Sequence, residues 1–368
     1  MPITQKQLRK DHMVIALAAV LFGLGLVAVN AVWPRAFVVT IASGGLLGAF
    51  MVLYEVRMTK RFAQAGFVRD LQTTFADNYA IQMIWSKLLL GEEICSTDRP
   101  AVSNYLTFFE TLHLLVKDGT LDLAVADNLF RNRFFKAIGD KGILEIALAR
   151  EKGTFANIHD FIAVWHDYLL ARCLPIHAGY YSYVKGMLEA RGYEVRRLAD
   201  QDLPELVRLQ DEVLQSLGSN NWMRANDGQM LNDCLTNPSH ATIGVLKDGH
   251  LEAAAILFDG KDSNMNIRRH FTEDAKSVES AVNLKLVMVS QGSQRRAGLG
   301  RTAVELLEQI AVERGKSEIL CTIHRENRPS QSLFKVLGYK QVGAVQTEYG
   351  KREVFARALP KATQKWAR

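Results

Sequence analysis

A chain of 368 residues with an apolar share of 48% is long enough for two or three structural units and supports a sizeable core. Its formal charge of +6 and pI near 9.0 suit contact with anionic lipid or an acidic ligand. No Lys/Arg run with interleaved aromatics occurs, which argues against nucleic acid as a partner. The four cysteines, Cys95, Cys173, Cys234 and Cys321, are scattered and form no CxxC or Cys/His cluster. That spacing argues against a disulfide framework or a zinc site, and no metal is expected.

Residues 13–33 and 36–56 are two apolar runs, separated by Pro34 and Arg35, and each is about long enough for a helix to cross a bilayer. Proline cannot continue a helix, so the pair reads as a tight hairpin. Lys6, Arg9 and Lys10 precede it and Arg57, Lys60 and Arg61 follow it. By the distribution of positive charge, both ends face the cytoplasm. The expectation is a multi-pass protein of the cytoplasmic (inner) membrane with both termini cytoplasmic. Its small residues suit close helix approach, including a homo-oligomer through these spans.

Residues 57–192 form the next segment. Apolar residues recur at three and four through 61–79, 104–119, 121–140, 142–153 and 157–172, which predicts five or six packed helices. Phe108, Phe109, Phe134 and Phe135 form an aromatic stripe that belongs in a core. His113, His159, His166 and His177 have no metal-ligand spacing. The stretches Asn104–Glu110 and Leu129–Phe135 weakly resemble an uncharacterised bacterial helical family found behind membrane hairpins, a resemblance over about 57–185 that implies no chemistry.

After Gly192 the pattern changes. Strands are predicted at 193–198, 241–246, 251–258, 284–289, 318–323, 339–346 and 352–358, and helices at 202–216, 220–235, 301–314 and 329–337. Asp248-Gly249 marks a hairpin turn. The 259–280 insertion is long and charged, and reads as a substrate lid with His270, Glu273 and Asp274 as secondary candidates for chemistry. Residues 360–368 are a polar tail.

The strand Leu286-Val287-Met288-Val289 is followed by Arg295-Arg296-Ala297-Gly298-Leu299-Gly300-Arg301, which opens a helix. A helix N-terminus carries unpaired N–H groups and partial positive charge, so it cradles a diphosphate. Gly298 and Gly300 allow close backbone approach. A dinucleotide fingerprint needs an acid closing the next strand, yet that strand ends at Ile323-His324. No Gly-Lys-Ser/Thr follows, so a Walker phosphate loop is excluded. Downstream lies Asn327-x-x-Ser330-x-x-Leu333-Phe334-x-x-x-Gly338-Tyr339.

With this order of elements, the two motifs resemble the GNAT N-acetyltransferase superfamily over 193–358. The resulting fold class is a two-span membrane hairpin at 1–56, an all-α region at 57–192 and an α/β GNAT domain with a mixed, splayed sheet at 193–359. The resemblance implies acetyl-CoA or another acyl-CoA as co-substrate and an amine as acceptor. It implies binding by Val287, Met288, Val289, Arg295, Arg296, Ala297, Gly298, Leu299, Gly300, Arg301, Asn327, Ser330 and Phe334. Many members have a tyrosine where Phe334 stands, to protonate the leaving thiolate. The base is sought among Glu279 and His324, with Asn283 also near the central strand. The alternative is a non-catalytic acyl-CoA sensor or scaffold at the membrane.

Overall fold

The computed structural model describes residues 51–55, 58, 64–149, 153–217, 222–261, 263–292, 298–347 and 350–360. The chain divides into two compact units, Met1–Thr74 and Phe75–Arg368. In the first, residues 51–55 and 64–74 are helical.

The membrane hairpin is a correction. Among the described residues no helix is long and apolar enough to cross a membrane. The span expected at 13–33 lies outside the described residues, and of 36–56 only 51–55 are described. Five helical residues rise roughly 7.5 Å against a hydrocarbon core of roughly 30 Å. The inner-membrane placement, the contact with a lipid bilayer and the oligomer through those spans lose their support with it.

The second unit opens with helices. These are α1 (Tyr79–Leu90), α2 (Arg99–Lys117), α3 (Leu123–Ile138), α4 (Lys141–Ile143, running into a wider turn at Leu144–Leu148), α5 (Ala156–Ala171) and α6 (Ala178–Glu189). Asn78, Asp122 and Asp140 cap their helices by accepting backbone N–H groups. The expected aromatic stripe is core: Phe109, Phe134 and Phe135 are fully buried and Phe108 nearly so. Trp165 stacks on Phe134 at 5.0 Å, and its Nε1 donates to Asp127 at 2.7 Å. That bond satisfies the only polar atom of the largest buried side chain.

The remainder is a seven-stranded sheet with its helices. The strands are β1 (Tyr193–Arg197), β2 (Ala241–Lys247), β3 (His250–Phe258), β4 (Ala281–Val289), β5 (Glu318–His324), β6 (Lys340–Thr347) and β7 (Gly350–Ala358). The helices are α7 (Leu203–Leu217), α8 (Gly228–Thr236), α9 (Ala275–Glu279), α10 (Leu299–Glu313) and α11 (Arg328–Val336). The sheet order is β1-β2-β3-β4-β5-β7-β6, and only the β4–β5 pair is parallel. One face packs against α10, α11 and Leu188 of α6, through Ala303, Leu307, Phe334 and Ile319. On the other, α7 and α8 cover Ile256, Leu286 and Met288.

Candidate functional site

Two backbone features open the sheet at its centre. Leu257 pairs with Leu284 and Ile256 with Leu286, so Lys285 is an extra residue in β4, a β-bulge. The bulge changes which face side chains take. Val282 and Leu284 lie with α10, whereas Leu286 and Met288 lie with α7 and α8. The second feature follows within three residues. β4 and β5 pair only through Ala281↔Glu318, Val282↔Ile319 and Asn283↔Leu320. Beyond that point β4 runs on to Val289 and β5 to His324 with no further mutual pairing. Their facing edges therefore carry backbone N–H and C=O groups that an extended ligand can pair with, as an added strand does.

The N-terminus of α10 faces the same end. Gly298, its N-cap, has φ +81°, a left-handed conformation that a glycine adopts without strain. Unlike Asn78, Asp122, Asp227 and Asn327 at other helices, it offers no capping side chain to the first amides. Those N–H groups remain for a ligand. A Cβ on Gly298 would meet nothing within 4 Å, whereas one on Gly300 would sit 3.0 Å from Val289 Cγ2. Gly300 thus lets the helix start press against β4 at the gap, and Gly298 borders open space.

The first residues after β4 are held from α7. Glu212 Oε1 accepts from the amide of Gln291 at 3.1 Å and from the Ser290 hydroxyl, while Arg208 Nη1 donates to Oε2 at 3.0 Å. Behind α10 lies a buried polar network. Arg301 Nε donates to Glu305 Oε1 at 2.9 Å, and the Tyr180 hydroxyl of α6 donates to the same oxygen at 2.9 Å. Glu308 pairs with Arg357 of β7. Glu305 and Glu308 are each 1% exposed. Burial pushes both carboxyls up, Glu308 to about 7 even with Arg357 beside it. His166 stacks on Tyr180 at 4.3 Å, and burial lowers its pKa to about 3.

The sequence-selected residues divide by position. Val287 and Val289 flank the gap on the α10 side, and Met288 is buried on the opposite face. Gly298, Leu299 and Gly300 form the helix start, while Arg295, Arg296 and Ala297 lie outside the described residues. Asn327 caps α11 by accepting from the Ser330 amide at 3.2 Å. Phe334 is core, edge-on to Tyr339 at 5.0 Å. His324 ends β5 at the open end. Glu279 stands at the opposite, zipped end of β4, where it lines a cavity of about 670 Å³ with Arg269 and Glu273. The eight steps from Ala281 to Val289 span roughly 26 Å at strand rise.

Asn283 is 3% exposed and pins the insertion. Its Nδ2 donates to the Met265 carbonyl at 2.8 Å, and its Oδ1 accepts from the Ile267 amide at 3.3 Å. Asp274 caps α9, and His270 closes the short helical turn Ile267–His270. Sequence reasoning passed over Glu212, Tyr180, Arg352 and Lys285. The last left one signal, a lone charge inside the apolar run Ala281–Val289.

A central strand that parts from its parallel neighbour beside an uncapped, glycine-lined helix start suits an extended, diphosphate-bearing ligand, and the chain is an acyl-CoA-dependent N-acyltransferase. Residues 205–339 match the acetyltransferase (GNAT) family, so this part of the chain is a GNAT domain, whose family uses acetyl-CoA as co-substrate. Among solved structures, the chain is similar to the ribosomal-protein-S18-alanine N-acetyltransferase of Escherichia coli, at 16% identity and TM-score 0.34, over 48% of this chain and 98% of that one. It is also similar to the PaiA N-acetyltransferase of Thermoplasma acidophilum in complex with coenzyme A, at 16% identity and TM-score 0.35, over 45% and 98%. An N-acetyltransferase of Staphylococcus aureus Mu50 is similar at 10% identity and TM-score 0.36, over 45% and 98%. No curated protein matches the sequence.

Proposed function

We propose that the gap between β4 and β5 takes the pantetheine arm of acetyl-CoA, that the first amides of α10 with Arg295 and Arg296 take its diphosphate, and that an amine entering from the α7–α8 face is acylated. The observation that carries this reading is the pairing of β4 with β5 at Ala281–Asn283 alone. Open strand edges hydrogen-bond an extended amide-bearing arm, and backbone N–H groups at the gap stabilise the oxyanion that develops on the thioester carbonyl. The neutral amine nitrogen forms a bond to the carbonyl carbon, the C–S bond breaks, and the proton that the nitrogen then sheds passes through solvent to the departing thiolate. We assign to His324, at the open end of β5 and with Nδ1 accepting from the Glu326 amide at 3.2 Å, the receipt of the proton that the ammonium must lose. Phe334 has no proton to give the thiolate, and a CoA thiol is acidic enough to leave without one.

The test is calorimetric titration of CoA together with a thiol-release assay using acetyl-CoA and a panel of amines. Gly298→Asn keeps the left-handed backbone accessible and retains CoA affinity, whereas Gly298→Glu aims a carboxylate at the diphosphate and loses at least tenfold. Equal affinity in both variants overturns the site. CoA binding without thiol release across the panel overturns the catalytic reading in favour of a sensor.

A further inference from the structure

The face of the sheet away from α10 is not covered continuously. One apolar cluster, with Phe258, Leu286 and Met288, lies under α7 and α8. A separate one joins Ala281, Leu320, Val345, Val354 and Ala356 to Ile267 of the insertion. The parting of β4 and β5 falls between them. The segment before α8 crosses this break, because Arg352 of β7, 6% exposed and paired in register with His324, donates from Nη1 to the Trp222 carbonyl at 3.0 Å.

Lys285, the bulge residue, stands on this face two residues beyond Asn283, the last residue of the zipped part of β4. Its ammonium is partly buried and lies 4.9 Å from the centre of the Phe258 ring. Among the described residues, Lys285 has that ring contact but no hydrogen bond or ion pair. Burial lowers its pKa, with Cys234 and Asp227 opposing and Arg224 acting in the same direction. Asp227, the nearby carboxylate, is engaged in capping α8 by accepting from the Met230 amide at 2.7 Å. A desolvated cation held by a ring face alone is costly, and an arriving anion removes that cost through a charge-assisted hydrogen bond.

We propose that the acceptor carries an anionic group alongside its amine, and that Lys285 is the specificity residue that receives this group while the nitrogen faces the thioester at the gap. The proposal rests on the acyl-CoA reading above. It predicts an acceptor class of small amines bearing a carboxylate or a phosphate.

The experiment needs no turnover. The full-length chain, loaded with CoA, is titrated with two matched pairs: β-alanine against β-alaninamide, and phosphoethanolamine against ethanolamine. The expected result is that at least one acid binds tenfold or more tightly than its uncharged partner. Lys285→Met brings each pair within twofold, and Lys285→Arg keeps the preference. Lys285→Glu inverts it, with CoA affinity within twofold of wild type in all three. Equal binding within both pairs by the wild-type chain overturns the proposal, as does a preference that survives Lys285→Met. An acetyl group found on Lys285 after incubation with acetyl-CoA alone makes the lysine itself an acceptor and also overturns it. Failure of the wild-type chain to bind CoA at all is seen in the first titration, and there the site reading falls and takes the proposal with it. The two arms separate a carboxylate from a phosphate acceptor.

Discussion

The Glu212 carboxylate on α7 holds the amide of Gln291 at 3.1 Å, just where β4 turns toward α10. The two residues are far apart in sequence, yet this contact fixes the direction in which the chain leaves β4. Losing the carboxylate leaves the Gln291 amide and the Ser290 hydroxyl without their acceptor, at a cost of about 1–3 kcal/mol. Glu212→Ala is expected to raise the KM for acetyl-CoA about tenfold, with a smaller change in kcat. Steady-state kinetics beside urea unfolding checks this, and an unchanged KM would show that the loop is set elsewhere.

The two base candidates sit at opposite ends of the central strands. His324→Ala is expected to lower kcat by about 10²–10⁴-fold, the usual contribution of a general base, with little change in CoA affinity. Glu279→Ala is expected to leave kcat within twofold, because Glu279 precedes the zipped end of β4. Rate measurements on both variants decide it, and the reverse order would sink the assignment.

Buried carboxyls behind α10 make stability depend on pH. The Glu308 carboxyl is near 7 when folded and close to its ordinary acid value when unfolded, so the folded state holds the proton more tightly. Its contribution is fully present below about 4.5 and is lost as pH rises through about 7. His166 acts with the opposite sign: its depressed pKa removes stability as pH falls from about 6.5 toward about 3. Between about 4.5 and 6.5 these two slopes oppose, and Glu305, its carboxyl also raised by burial, acts in the same direction as Glu308. Glu308→Gln is expected to flatten the decline between pH 6.5 and 7.5 in urea unfolding. A slope identical to wild type would place the charge change on another group.

Tyr180 links α6 to α10 through Glu305. Tyr180→Phe is expected to cost about 1–3 kcal/mol by leaving a buried carboxyl with one donor fewer. Denaturant unfolding measures this, and a loss below about 0.5 kcal/mol would mean that Arg301 satisfies Glu305 alone.

The α/β domain was legible in the sequence because its signals are local. Asp248-Gly249 fixes the β2–β3 hairpin, and Gly298-Leu299-Gly300 opens α10. α6 is less legible, since Gly179 and Gly186 look like breaks in a helix. Both are packing positions: a Cβ on Gly179 would meet the Phe135 backbone, and one on Gly186 the Leu144 side chain. Glu279 was selected by its nearness in sequence to the central strand, but strand direction, visible only in the pairing, carries it to the far end. Glu305 and Glu308 are carboxylates, a residue type that is rarely buried, and only the packing of α6 and β7 over α10 shows them buried. The membrane hairpin rested on run length and flanking charge alone, and no described helix bears it out.

Because Lys285 adds one residue to β4 without adding one to β3, its effect on the fold lies in counting as much as in chemistry. Deleting that single position would restore strict alternation along the strand and keep Leu286 and Met288 toward α7 and α8, but draw the residues beyond it one step back toward the zipped end. The loss of one peptide unit would then shorten the lip of the crevice by roughly 3.3 Å, a change that no exchange of side chains produces.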